Sequence, residues 1–255
     1  MEPSPRSRRA VLGLGAALAA GMAAACGRMP VPSAPDTTAP DTTAPDATVP
    51  VPGPETGEIV AGPRNRPRVA LTFHGAGDPA LTTRALDVLR AGGARVTVLA
   101  VGTWLEGRPE LAGQITADGH ELGNHTYTHP TLPGLGAAAV RQEIDGCRDV
   151  LIAMAGSPGR WFRPSGTPRA TPLIRREAAA AGYPVCLAYD VDPRDYTDPG
   201  ATAVRARVAA AVRPGSIVSL HLGHAGTVAA LPGILADLRA RGLAAVTVSS
   251  LLDPR

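Results

Sequence analysis

Two histidines, His125 and His129, lie four positions apart in the stretch HTYTH and have the spacing of a pair of metal ligands. Residues four apart share one face when the intervening turn is helical, so both rings can approach one ion. Imidazole is a good ligand for zinc and for similar divalent ions. Asn124 and the threonines of the stretch can support such ligands by hydrogen bonds. The alternative interpretation is a pair of solvated or hydrogen-bonded histidines in an ordinary turn.

Short β-branched stretches alternate with stretches rich in Ala, Leu and Arg, and this alternation predicts an α/β domain. The predicted strands are residues 68–73, 95–101, 121–124, 161–163, 185–189, 216–221 and 244–248. The predicted helices are residues 82–91, 109–118, 137–155, 172–181, 201–211 and 227–241. The strands are apolar rather than alternating, as is typical of parallel strands buried on both faces. Periodicity leaves open whether the sheet of about seven strands closes into a barrel.

Polar clusters follow the ends of five predicted strands. They are residues 74–78, 125–129, Arg163, residues 190–195 and His221. In open and closed parallel sheets the carboxyl ends of the strands carry the functional site. The clusters therefore predict a single site on one face of the domain.

The same clusters resemble the motifs of the polysaccharide deacetylases, the enzymes of carbohydrate esterase family 4 with a NodB homology domain. The HTYTH stretch is similar to the H-[ST]-x-x-H motif of that family, and LTFHGAGDP at 71–79 stands where the family has T-F-D-D-G-P. Further similar stretches are FRPSG at 162–166, DPRDY at 192–196 and PGSIVSLH at 214–221. Their order and spacing hold from about Arg68 to Leu251, essentially the whole domain.

This resemblance implies a distorted (β/α) barrel in which an Asp and two His hold a divalent ion, commonly zinc. The ion polarises an N-acetyl carbonyl and a bound water, a carboxylate base activates the water, and a His acid protonates the leaving amine. Carried over by position, His125 and His129 become metal ligands and His221 becomes the general acid.

Three further residues take supporting roles by the same resemblance. Asp195, or less favourably Asp192, tunes the acid, and Arg163 orients the base. The simpler interpretation of Arg163 is a structural ion pair. The simpler interpretation of the two aspartates is a turn beside Pro193.

The first motif departs from the family pattern, because His74 and Gly75 replace the adjacent aspartates that act as base and metal ligand. Three outcomes are open. His74 can join His125 and His129 in a three-imidazole site, which zinc accepts while keeping an open position. Asp78 can supply the oxygen ligand or the base, or the site no longer binds metal strongly. We predict that His74 and Asp78 both belong to the site, with their roles unassigned.

Four smaller features complete the comparison with the family motifs. Tyr196 replaces a Trp, and Ser219 takes the Leu position of an L-x-H motif. His224 is interpreted as a solvent-exposed loop residue near the site. His120 is interpreted as a turn or core residue.

The N-terminus has the pattern of an export signal. Adjacent arginines at 8–9 resemble a twin-arginine signal, and an uncharged stretch at 10–25 follows them. Cys26 follows three alanines, as in a lipoprotein cleavage box. The alternative is an ordinary export peptide cut near Ala25. We therefore expect a cell-surface lipoprotein or a secreted protein, with membrane contact only through a lipid on Cys26.

The predicted domain order follows from a change in composition. Residues 1–26 form the signal, and residues 27–63 form a Pro/Thr/Asp-rich linker that has too little apolar mass to fold. Residues 64–255 form a single deacetylase-like domain. Outside the cytosol Cys147 and Cys186 can pair as a disulfide, and two buried free thiols are the equally weighted alternative.

Composition excludes two classes of function. All 25 basic side chains are Arg, and the lack of Lys excludes the G-x-x-x-x-G-K-[ST] phosphate-binding loop. There is no dense basic run interleaved with aromatic residues, so we expect no nucleic-acid partner. The mild net charge of +3 suits a polyanionic envelope polymer.

Two functions remain. The first is a metal-dependent hydrolase, with zinc as the expected metal, that removes N-acetyl or similar acyl groups from an envelope or extracellular polysaccharide. The second is a catalytically degenerate, surface-tethered carbohydrate-binding protein with the same fold. The joint presence of His125, His129, Arg163, Asp195 and His221 favours the enzyme.

Overall fold

The computed structural model describes residues 57–254 of the 255-residue chain. The predicted signal at 1–26, with Cys26, and most of the predicted linker at 27–63 lie outside the described residues. None of the helices within residues 57–254 is both long enough and apolar enough to cross a bilayer.

Parallel strands alternate with helices along the described chain. The strands are β1 (Gly57–Ile59), β2 (Arg68–Gly75), β3 (Thr97–Ala100), β4 (Glu121–Asn124), β5 (Val185–Leu187), β6 (Ile217–His221) and β7 (Ala244–Val246). The helices are α1 (Pro79–Ala91), α2 (Gly102–Glu106), α3 (Pro109–Ala117), α4 (Ala137–Ala155), α5 (Pro172–Ala180), α6 (Ala201–Ala211), α7 (Ala225–Ala240) and α8 (Val248–Leu252). A short 3₁₀ helix covers Asp195–Thr197.

The predicted parallel barrel is confirmed in a distorted and incompletely closed form. Five strands form one sheet in the order β4-β3-β2-β6, with β7 paired to β2, while β1 and β5 form a second pair. Isolated parallel bridges link Phe162 to Asn124 and to Cys186, and link Val191 to Val218. These bridges continue the ring of strands from β4 through β5 to β6. In this part of the ring the strands are not paired continuously.

The central strand β2 shows why the chain forms this layered arrangement. Five consecutive residues, from Val69 to Phe73, are buried, because helices cover one face of the strand and side chains from the other strands of the ring cover the opposite face. The helix that follows begins at Pro79, where a missing N–H costs nothing, and the Asp78 carboxylate caps it by accepting a hydrogen bond from the N–H of Ala80.

Three sequence-based boundaries differ from the structure. The predicted strand at 161–163 is reduced to single bridges at Phe162, and the predicted strand at 244–248 ends at Val246 because α8 begins at Val248. Strand β1 lies inside the stretch predicted as linker, so the folded domain starts before residue 64. The other predicted strands and all predicted helices agree with the structure to within three residues at each end.

Both cysteines of the domain are buried free thiols in this structure. Cys147 packs in the core cluster around β2 and α7, whereas Cys186 packs in a separate cluster with Phe162 and Tyr183. Burial raises the pKa of each thiol to about 12. The structure therefore has two buried free thiols rather than a disulfide between Cys147 and Cys186.

Candidate metal and proton-transfer site

Two histidines project from neighbouring strand ends at the centre of the site. His74 on β2 pairs in register with His221 on β6, and the ring centroids lie 4.3 Å apart. Two residues earlier Thr72 pairs with Ser219, so both pairs lie on the same face of the sheet. The parallel pairing of β2 with β6 thus brings together two of the predicted polar clusters.

The other two histidines come from the turn after β4. His125 lies 4.2 Å from His74 between ring centroids, and the Nε2 atoms of His125 and His129 are 3.1 Å apart. The turn is held in an unusual backbone conformation, because Thr126 and His129 have positive φ angles of 70° and 62°. The Asn124 side chain supports it by accepting a hydrogen bond from the Thr126 N–H at 2.9 Å.

Three of these imidazoles fit a metal ion. One ligand atom from each of His74, His125 and His129 lies within 4.8 Å of the others. His125 Nδ1 is 2.9 Å from the carbonyl oxygen of Arg163, and since a carbonyl only accepts, Nδ1 carries the hydrogen and Nε2 offers its lone pair. Two nitrogens on one tetrahedral zinc are separated by roughly 3.3 Å, close to the Nε2 separation observed here.

The electrostatics of the group favour neutral rings. Burial lowers the pKa of His74 and of His125 well below the usual value, and the neighbouring histidines lower it further. Burial also lowers the pKa of His129. Metal ions bind the neutral form of imidazole, so the fold keeps these side chains in the state that coordination requires.

Arg163 is 1% exposed and lies beneath the histidines. Its guanidinium donates to the Thr72 hydroxyl at 2.9 Å and to the carbonyl oxygens of Leu187 and Ala188 at 3.2 and 3.1 Å. Its Nη1 also lies 3.3 Å from His74 Nε2. Burial lowers the pKa of Arg163 to about 9, so the group remains charged at neutral pH.

His221 and Asp195 form a second functional unit beside the imidazole group. The ring Nδ1 of His221 is 2.7 Å from Asp195 Oδ1, while Oδ2 accepts the His221 backbone N–H at 2.8 Å and the Thr227 hydroxyl at 2.6 Å. Burial by itself would raise the pKa of Asp195, but these hydrogen bonds outweigh it, and the pKa lies below its usual value. The carboxylate therefore holds the His221 ring with Nε2 free.

Asp78 and Asp192, two carboxylates predicted for the site, contact neither the metal-competent histidines nor His221. Asp78 is exposed, its side chain caps α1, and it is not part of the metal-competent group found among residues 57–254. The chain reaches it through Gly77, whose φ of +94° and 2.4 Å approach of an added Cβ to Gly223 leave no room for a side chain. Asp192 lies on the wall of the cleft and accepts a hydrogen bond from the Arg194 N–H, so Asp195 rather than Asp192 contacts His221.

The position of the missing family carboxylate, at Gly75, is tightly packed. An added Cβ at Gly75 would lie 3.0 Å from Trp104 and Val98 and 3.1 Å from the Cα of Ala100. A side chain there meets the packed interface between β2 and β3. Within this backbone an aspartate at 75 cannot be accommodated without displacing its neighbours.

A cleft of about 480 Å³ opens above these groups. Its wall includes His74, His129, Asp192, Tyr196, Ser219 and His221. Tyr196 is 44% exposed, and its ring meets that of His221 edge-on at 5.4 Å. An exposed ring beside a polar floor is suited to a sugar, which presents apolar faces and hydroxyl edges.

Sequence reasoning missed several supporting contacts. The Ser219 hydroxyl is 3.2 Å from His74 Nε2, and Thr72 holds Arg163. Both lie two residues before a site histidine, and the period of two along a strand could have identified them. Thr227 on α7 carried no such signal. His224, interpreted as a loop residue, is half-buried, with its Nδ1 2.8 Å from Asp198 and its ring 5.7 Å from His221.

Comparison with known proteins points to one family. Residues 61–186 match the family model described as polysaccharide deacetylase. A peptidoglycan-N-acetylglucosamine deacetylase of Bacillus cereus is 34% identical over 194 residues, which cover 74% of this chain and 90% of the relative. A chitooligosaccharide deacetylase of Sinorhizobium fredii is 37% identical over 159 residues, covering 62% of this chain and 73% of the relative.

Solved structures show the same fold in active and inactive relatives. A peptidoglycan N-acetylglucosamine deacetylase superposes with a TM-score of 0.72 at 27% identity, covering 78% of this chain and 94% of that one. A family 4 carbohydrate esterase pseudoenzyme from Bacillus anthracis has a TM-score of 0.73 at 26% identity, covering 78% and 69%. A mutant of that pseudoenzyme, with restored enzymatic activity, has the same TM-score.

Proposed function

Because the chain belongs to the polysaccharide deacetylase family, we propose that it uses a divalent metal to remove N-acetyl groups from an envelope or extracellular polysaccharide. The observation that carries this proposal is the convergence of His74, His125 and His129 beside the His221–Asp195 pair in a single cleft.

In this proposal the metal ligands are His74, His125 and His129, and zinc is the favoured ion because it accepts three imidazoles. The bound ion supplies a Lewis acid that polarises the acyl carbonyl. His74 replaces the carboxylate ligand that Gly75 does not supply, at a position where an added Cβ would lie only 3.0–3.1 Å from its neighbours. The assignment leaves Asp78 outside the site, as the cap of α1.

Proton transfer falls to His221 in the proposed reaction. His74 is a poor base, because its half-buried ring lies against the Arg163 guanidinium, where an added proton would meet a fixed positive charge. His221 has Nδ1 held by Asp195 and Nε2 free. Its Nε2 takes a proton from the attacking water and then delivers it to the departing amine nitrogen, as one histidine can do in acyl transfer.

The proposed substrate and location follow from the relatives and from the N-terminus. The relatives are named for peptidoglycan N-acetylglucosamine and for chitooligosaccharides, and both are N-acetylated glycans. An export signal at 1–26, lipidation of Cys26 and a spacer up to β1 would hold the domain near such a polymer. Tyr196 offers a sugar ring a surface at the cleft.

The first test measures metal content and acetate release by the purified full-length chain. We expect about one equivalent of bound metal, retained by His224→Ala and mostly lost in His125→Ala. Acetate release from N-acetylated glycans should stop with chelator and return with zinc or cobalt. His221→Ala should retain the metal and lose roughly 10²–10⁴-fold in rate. Metal content that His125→Ala leaves unchanged would contradict the site assignment.

A second candidate function is a degenerate protein that binds the polymer without hydrolysing it. It is favoured by the similarity to a family 4 pseudoenzyme and by the replacement of both carboxylates of the first motif. Bound glycan with no acetate release above background, in a protein that is loaded with metal, would select this function over the hydrolase.

A further inference from the structure

The turn that carries His129 needs support from outside itself. Thr126 and His129 both adopt left-handed backbone angles, which cost about 1–3 kcal/mol each for residues other than glycine. A free turn of this sequence would relax to other conformations. The 3.1 Å approach of the His129 and His125 Nε2 atoms thus depends on groups that hold the turn.

Most of that support comes from the backbone or from buried groups. The N–H groups of Gly102 and Thr103, at the start of α2, donate to the carbonyl oxygens of Thr126 and Tyr127 at 2.9 Å each. On the other side Asn124 donates to the carbonyl oxygen of Ile144 on α4 at 2.8 Å. Helices α2 and α4 therefore hold the turn by hydrogen bonds on two sides.

One charged side chain, that of Glu143, binds Thr128, the residue before His129. The Glu143 carboxylate on α4 accepts the Thr128 backbone N–H at 2.8 Å and the Thr128 hydroxyl at 2.7 Å, with one oxygen for each. Hydrogen bonds to an ionised carboxylate are roughly twice as strong as neutral ones. Glu143 thus fixes Thr128 through two bonds and orients the peptide that leads to His129.

We infer that Glu143 is a positioning residue for the metal site, holding His129 where its Nε2 faces that of His125. This inference rests on the proposed function, in which these nitrogens bind the ion. Without the carboxylate, Thr128 loses both partners and the turn can relax. The distance between the two nitrogens is then no longer fixed, and each binding event must include the cost of restoring it.

The test is a titration of the metal-free full-length chain with Co²⁺, followed by its visible absorption, well below the melting temperature. We expect Glu143→Ala to weaken Co²⁺ binding roughly 10–100-fold, the usual effect of removing a residue that supports a ligand. Glu143→Gln keeps one accepting oxygen and should lie between the two. A merely structural role would lower the melting temperature and leave the affinity of the folded protein unchanged.

Glu106→Ala is the matched control. Glu106 is also a carboxylate bound to this turn, accepting the Tyr127 hydroxyl at 3.0 Å, but it holds the end of a side chain and not the backbone. We expect its Co²⁺ affinity to stay within about threefold of wild type. Equal affinity of wild type and Glu143→Ala, or an equal loss in Glu106→Ala, would overturn the role of Glu143. Absence of Co²⁺ binding by wild type would instead overturn the proposed metal site, and the inference with it.

Discussion

His74 stands at the point where this chain departs most from its family. The Arg163 guanidinium next to it is buried and donates to a hydroxyl and two carbonyl oxygens. An aspartate at 74 would neutralise that charge, whereas the neutral imidazole, whose Nε2 lies 3.3 Å from Arg163 Nη1, does not. The site is therefore more positive than the family pattern implies. This charge opposes protonation of His74 and makes it a poor base.

His120 lies away from the site, and it predicts a pH dependence of stability. It is 5% exposed, and its Nδ1 accepts the Val96 N–H at 3.3 Å. Within residues 57–254 its Nε2 has no hydrogen-bond partner. Burial lowers the pKa of His120, although the nearby Asp118 opposes the shift. The native protein thus holds this ring neutral at pH values where an unfolded chain protonates it.

The sign of the effect follows from proton linkage. Above the ordinary pKa of about 6.5 both states are neutral, and below it the unfolded chain takes up a proton first, so stability falls as pH falls. His120→Asn keeps an acceptor for Val96 and cannot titrate. We expect its free energy of unfolding, measured with urea in chelator, to lose less between about pH 7 and pH 5, by at most about 1.4 kcal/mol per pH unit. A variant with the full wild-type loss would contradict this.

Residue types and strand periodicity predict the side chains that could do chemistry, but not every side chain that supports them. HTYTH, Arg163 and the aspartates of residues 190–195 carry chemistry in their types, and the strands that end beside them place them on one face. Ser219 and Thr72 lie on the same face as site histidines and could have been found by alternation. Glu143 could not, since its partner Thr128 lies 15 residues away on a separate element.

At the scale of elements, every helix of nine or more residues was predicted, whereas the five-residue helices α2 and α8 were not. Both ends of helix α4 were predicted correctly, and its 19 residues are enough for the apolar positions to recur over several helical turns. Strand β1 has three residues and α8 has five, too few to show any period. Phe162 makes bridges to β4 and β5 but no continuous strand, because its pairing depends on what lies beside it in space.

Strand β1 makes the start of the domain a testable quantity. The Gly57 N–H donates to the Pro184 carbonyl oxygen at 3.1 Å, and the Ile59 carbonyl oxygen accepts the Ala188 N–H at 2.7 Å. The Glu58 side chain accepts the Ala170 N–H at 2.6 Å and pairs with Arg169 at 3.1 Å. These contacts tie the first strand to β5 and to the start of α5.

A chain that begins at residue 64 should therefore be less stable than one that begins at residue 55. We expect the free energy of unfolding in urea to fall by roughly 2–4 kcal/mol, about one for each lost hydrogen bond. The chain that begins at residue 55 serves as control, because its truncation removes only residues before β1. Coincident urea midpoints for the two chains would show that β1 adds nothing to the fold.

At the scale of the whole molecule, the parallel ring explains how residues distant in sequence form one site. His74 lies one residue before the end of β2, the His125 turn follows β4, and His221 ends β6. Parallel strands present all their carboxyl ends on one face, so a site assembled there requires the whole sheet to be in register. A ligand that bridges these ends must favour the folded state over every state in which the strands separate.

Metal binding should consequently stabilise the entire domain. An ion bound only by the native state adds about 2.7 kcal/mol at a hundredfold excess over its dissociation constant. For a domain of this size that corresponds to a rise of roughly 5–10 °C in melting temperature, measured by calorimetry with and without zinc. His125→Ala should melt at the same temperature in zinc and in chelator, since two imidazoles no longer hold the ion firmly. His224→Ala, outside the group, should keep the shift. A zinc-dependent rise that persists in His125→Ala would show that the stabilising ion binds somewhere other than the face where the strands converge.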